Sequence, residues 1–109
     1  MRYCQVGCDV DGVLADGFTP AETEFCVISG RQTDDWERTI RQVGTVQPIY
    51  LRPPSFPGEA GEWKAAIIMT TGITKFYEDM RDQAEVIRRI CPQCQVHLVR
   101  NGRIVEILG

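Results

Sequence analysis

The stretch Cys4-Gln5-Val6-Gly7-Cys8-Asp9-Val10-Asp11-Gly12 decides how the chain is read. Residues 2–8 are short and largely apolar and stop abruptly at acids, the pattern of a strand buried on both faces. A buried strand that ends in two carboxylates and a glycine places charge at the carboxyl edge of a sheet. Working outward, Glu24-Phe25-Cys26-Val27-Ile28-Ser29 reads as a second strand, stopped by Gly30. The segment between, Asp11 to Thr23, holds Gly12, Gly17 and Pro20, lacks a helical period and reads as loop. Thr33 caps an expected helix carrying Asp34 and Asp35 in its first turn, with Trp36, Ile40 and Val43 on one apolar face and Gly44 as its stop. Ile49-Tyr50-Leu51 is a third strand, and Arg52 to Gly61, with three prolines, is loop.

Glu62 to Thr71 is an apolar helix interrupted by Lys64 and stopped by Gly72. Ile73 to Tyr77 is a fourth strand, ending in Glu78-Asp79. Met80, Ala84, Ile87 and Cys91 share one face of a third helix. Gln95 to Val99 is a fifth strand, and Asn101-Gly102 signals a type I′ hairpin with Arg103 to Leu108 returning. Strands alternating with helices of about ten residues predict an α/β fold: a mostly parallel sheet with flanking helices and a C-terminal hairpin strand. All 109 residues, 1–109, form one domain.

Composition excludes several classes. Hydrophobic residues are 43% and charged residues 25%, a globular mix, so neither a disordered nor a collagenous chain is expected. The net charge of −3 lacks the strongly basic footprint of a nucleic-acid binder, although a local basic cleft is allowed. No apolar run approaches the roughly 18 residues of a membrane span, and Met1 to Asp9 lacks a signal-peptide core, so a cytoplasmic protein with no membrane partner is expected. The odd count of five cysteines suits buried free thiols in a reducing compartment. Cys91-Pro92-Gln93-Cys94 follows a helix rather than opening one and lacks a second zinc pair, so it reads as a connecting loop.

In parallel α/β sheets ligands sit beyond the carboxyl ends of the strands. Those ends carry Asp9, Asp11, Ser29, Gly30, Arg31, Glu78 and Asp79, and Lys64 opens the helix feeding the fourth strand. Converging carboxylates repel unless a cation lies among them. Hard oxygen ligands suit Mg²⁺ shared with a substrate phosphate, with the lysine and arginine offsetting phosphate charge. Metal-assisted phosphoryl transfer is the expected chemistry. The two lysines are Lys64 and Lys75, and Lys75, inside the fourth strand, is the weaker candidate. Glu78 reads as a solvent-facing neighbour of Asp79, Asp16 as a loop residue and His97 as a strand residue. Arg31 reads either as a phosphate grip or as a surface charge.

These residues also resemble the motifs of a known family. Asp9-Val10-Asp11-Gly12-Val13 is similar to motif I of the haloacid dehalogenase-like phosphatases. Val27-Ile28-Ser29-Gly30-Arg31 resembles motif II, Trp63-Lys64-Ala65-Ala66 motif III, and Tyr77-Glu78-Asp79-Met80-Arg81-Asp82 motif IV, in the family's order. The likeness is nearest to the phosphatase domain of polynucleotide kinase–phosphatases. It implies a Rossmann-like fold and a phosphomonoester hydrolase working through an aspartyl-phosphate at Asp9, with Asp11 as general acid and then base. It implies Mg²⁺ held by Asp9, the Asp11 main-chain carbonyl and Asp79, phosphate bound by Ser29, Gly30, Arg31 and Lys64, and a supporting Asp82.

No insertion is long enough for a cap domain, so an open site and a bulky phosphate ester, such as a nucleic-acid end, are expected. Ser29 follows Asp9 by only 20 positions, which predicts a thinly covered sheet face near the first two strands and a homodimer that covers it. The alternative is a weak or inert binding module that retains the metal site. A Toprim-type nuclease needs a glutamate on the first strand, and a receiver domain needs an aspartate where Leu51-Arg52 stand; neither is present.

Overall fold

The computed structural model describes residues 4–109. Residues 2 and 3 of the expected first strand lie outside the described residues. Six strands form one sheet: β1 (Val6–Cys8), β2 (Cys26–Gln32), β3 (Ile49–Arg52), β4 (Lys75–Glu78), β5 (Gln95–Arg100) and β6 (Arg103–Leu108). Three helices connect them: α1 (Trp36–Val43), α2 (Ala60–Thr71) and α3 (Arg81–Ile90). The strand order is β3-β2-β1-β4-β5-β6, parallel from β3 to β5, with β6 antiparallel at the edge. The chain therefore winds outward from β1 in one direction and then restarts beside β1 in the other. That reversal lies between β1 and β4, where parallel sheets open a crevice at their carboxyl ends.

The register fixes what meets there. Cys8 pairs with Val27 on one side and Tyr77 on the other, so Asp9 emerges level with Ile28 of β2 and with Glu78, the last residue of β4. The main core lies between the sheet and α2/α3, built on Ile28, Ala65, Ile68, Ile73, Phe76, Ala84, Ile87, Val96 and Leu98. On the opposite face Val6, Cys8, Val13, Phe18, Tyr77 and Val99 form a second cluster. Val13 and Phe18 come from the segment read as bare loop, which makes a 3-10 turn over Leu14–Asp16. The sheet face expected to be thinly covered is thus filled by the chain's own crossover.

Local differences have local causes. β2 runs three residues past Ser29 because Gln32 still pairs with Arg52, across a register shift. α2 begins at Ala60, earlier than expected, because Glu59 and Glu62 form a reciprocal capping box. Thr33 caps nothing; residues 33–35 form a 3-10 turn, and α1 starts at Trp36, which is 46% exposed. The residue α1 does bury is Thr39. Met80 is also exposed, because α3 begins one residue later. The hairpin is as expected, with Asn101 and Gly102 both at positive φ. Cys91 and Cys94 are buried free thiols in the connection before β5, and burial pushes Cys94 up to about 12. β6 leaves Ile104, Val105 and Ile107 exposed. No helix among the described residues is long and apolar enough to cross a membrane.

Candidate active site

α2 buries Gly61, Lys64, Ala65 and Ile68, the spacing of one helical stripe. Lys64 thus occupies a core position and is 2% exposed. Its ammonium lies 3.0 Å from Asp9 Oδ2, 2.7 Å from Glu78 Oε1 and 2.5 Å from Gln83 Oε1. An ammonium has three hydrogens and no lone pair. Three acceptors therefore engage all of them. Burial works against the charged form, but Asp9 and Glu78 more than offset it and hold the lysine above its ordinary pKa.

The acids are placed as closely. Asp9 is 4% exposed, and its Oδ1 accepts from the Val10 N–H at 2.8 Å. Glu78 is wholly buried, contrary to its reading as solvent-facing. Its second oxygen accepts from the N–H groups of Asp79 (3.0 Å) and Met80 (3.1 Å), so both its oxygens are engaged. Burial pushes the Asp9 carboxyl up against the opposing pull of Lys64. Burial pushes Glu78 up further, with help from the negative charge of Asp9. Asp9, Glu78 and Asp79 each bring a carboxylate oxygen to within 4.8 Å of the others, a set that could hold a metal ion. Three carboxylates against one ammonium leave a formal charge of −2. All the donors are oxygen, so a hard dication matches both charge and ligand type.

Gly12 is what lets Asp79 approach. Its φ is +75°, and a Cβ built there would fall 1.9 Å from Asp79 Oδ2. A glycine thus turns the chain sharply and leaves room for the carboxylate. The amides of this turn bond to the carbonyls of Asp9, Val10 and Val13 rather than to that of Asp11.

Asp11 and Arg31 form a two-pronged pair, Nε to Oδ2 at 2.9 Å and Nη2 to Oδ1 at 2.7 Å. Nη1 donates to Thr39 Oγ1 at 3.1 Å, so all three guanidinium nitrogens have partners within the protein. Arg31 is buried, which excludes the surface-charge alternative. The guanidinium holds the Asp11 carboxyl below the usual carboxylate range, chiefly through these hydrogen bonds. Ser29 is buried, and its hydroxyl oxygen accepts from the Arg31 N–H at 3.0 Å. Gly30 packs against Ala60, with no room for a Cβ.

Asp9, Asp11, Gly30, Arg31, Lys64, Asp79 and Gln83 line one open cleft of about 380 Å³. The sequence-derived residues thus converge, with Ser29 next to the lining rather than in it. Asp82 turns away to its own helix start, accepting from the Gln83 N–H. Gln83 and Thr39 were missed, and Glu78, seen at the strand end, was misread as solvent-facing. Glu78 carried a usable signal, because a parallel strand is buried on both faces and its parity does not mark a solvent side. No family model, curated protein or solved structure matches the chain.

Proposed function

We propose that the protein is a Mg²⁺-dependent phosphomonoester hydrolase of the haloacid dehalogenase-like type, with a Rossmann-like, capless fold. The observation that carries this reading is the −2 cluster at the carboxyl ends of β1 and β4: Asp9, Glu78 and Asp79 lie together, and the buried ammonium of Lys64 pairs with Asp9 and Glu78. Glu78 is committed to Lys64 and to backbone N–H groups, so Asp9 and Asp79, with the Asp11 carbonyl, are the residues that would hold the ion. When bound, Mg²⁺ would neutralise phosphoryl oxygens and orient them.

Asp9 is the nucleophile. One of its carboxylate oxygens bonds to phosphorus as the ester P–O bond breaks, and the leaving alkoxide takes a proton from Asp11. Water then attacks phosphorus, giving its proton to Asp11, and the Asp9–phosphorus bond breaks to release phosphate. Lys64 holds Asp9 in one rotamer and offsets its charge. Arg31 orients Asp11.

The second reading, a metal-retaining binding module, has an observation in its favour. The Arg31 pair stabilises Asp11 as a carboxylate, which opposes a proton-donor role. Hydrolysis of p-nitrophenyl phosphate in Mg²⁺, lost in EDTA and in Asp9→Asn, is the expected result. Mg²⁺ binding with neither turnover nor a trapped BeF₃⁻ adduct at Asp9 favours the binding module. Absence of Mg²⁺ binding removes both.

A further inference from the structure

Lys64 is the expected phosphate contact, yet its three hydrogens are already directed at Asp9, Glu78 and Gln83. Another donor must therefore reach the phosphoryl oxygens from this wall of the cleft. Gln83 is placed to do so. An ammonium accepts nothing, so the carboxamide must face it with oxygen, and the –NH₂ group must point elsewhere. Gln83 Nε2 makes no hydrogen bond within the described residues, and Gln83 lines the cleft that holds Asp9 and Asp79. It also lines the adjoining cavity between the starts of α2 and α3, with Glu62, Asp82, Val86 and Arg89. Its position depends on Gly61, where an added Cβ would sit 3.3 Å from the Gln83 backbone. The missing side chain lets α3 approach α2 at this point, so Lys64 and Gln83 meet.

We infer that Gln83 is a phosphoryl-contacting residue: its oxygen fixes Lys64, and its amide hydrogens bind the phosphate group that the cleft takes. The inference rests on the hydrolase reading above. A neutral amide suits the place, since a carboxylate would hold the lysine equally well but raise the cluster to −3 and repel the substrate.

The test compares Gln83→Met and Gln83→Glu with the wild type. The readouts are inorganic phosphate affinity in Mg²⁺, Mg²⁺ affinity without phosphate, and KM and kcat for p-nitrophenyl phosphate across pH. Thermal melts confirm that each variant folds. Loss of a hydrogen bond to a charged group predicts that Gln83→Met weakens phosphate binding and raises KM about tenfold or more. Its Mg²⁺ affinity and the pH limits of its rate stay close to wild type. Gln83→Glu keeps the acceptor for Lys64 but loses the donor, and phosphate binding falls at least as far. Wild-type phosphate affinity in either variant overturns the inference. So does a fall in kcat with KM unchanged, which would make Gln83 only a support for Lys64. A wild-type protein that binds Mg²⁺ but neither phosphate nor ester overturns the hydrolase reading, and this inference with it.

Discussion

Replacing Lys64 with methionine keeps the length of the side chain and removes its charge. The ammonium contacts Asp9 at 3.0 Å and Glu78 at 2.7 Å, and all three side chains are almost completely buried. Removing one partner from such a group leaves carboxylates facing each other without water, at a cost of about 3–5 kcal/mol. The cluster goes from −2 to −3 formal charge. Proton uptake by Glu78 limits the damage, since each unit of pKa shift is worth about 1.4 kcal/mol. The loss should therefore be largest at pH 7 and above and shrink towards pH 5. Urea unfolding of the metal-free protein, followed by tryptophan fluorescence, measures it. In a domain of this size the change corresponds to roughly 13–22 °C in Tm. Adding Glu78→Gln to Lys64→Met should recover a substantial part, because it deletes the charge left unpaired. A loss below about 1 kcal/mol at pH 7, the size of an exposed ion pair, would refute the reasoning.

Two further outcomes follow from the same geometry. Asp9 and Glu78 have folded pKa values above their ordinary values of 3.8 and 4.5, so their favourable contribution is complete below those values and is lost as pH rises through the folded ones. Lys64, raised above 10.5, keeps its contribution up to that pH and loses it only beyond. In EDTA the urea midpoint should thus be higher near the ordinary carboxylate values than above the folded ones, a trend that excess Mg²⁺ should flatten and that His97, held below 6.5 by burial, opposes at lower pH; a Glu78→Gln variant that keeps the full wild-type trend contradicts the assignment. Gly12→Ala forces a side chain into left-handed backbone, costing about 1–2 kcal/mol, and drives Asp79 aside. Urea unfolding and a Mg²⁺ titration should show both lower stability and at least about tenfold weaker metal binding, and a neutral result would mean Asp79 does not rest against Gly12.

The strand ends were legible because charge at the end of an apolar run is a strong signal, and the alternation of elements then brings those ends to one edge. Asp9 and Asp79 came from that logic, and Lys64 from being the one charge inside an apolar helix and from its likeness to motif III. Partner choice was not legible. Arg31 is next to a strand end in any reading, but its pairing with Asp11 and Thr39 depends on how far β2 continues and where α1 begins. Trp36, Ile40 and Val43 have helical spacing, yet tertiary placement turned Thr39 inward to serve the guanidinium. Gln83 has no composition or motif signal; only the close approach of two helices at Gly61 gives it a role.

Lys64 joins Asp9 across 55 positions and Glu78 across 14, and these acids come from adjacent strands formed by distant parts of the chain. No local fragment can hold this constellation. The charged centre comes together only once β1 has slotted between β2 and β4, so partly folded forms are chemically blank. Any reporter of this centre is therefore also a reporter of completed folding.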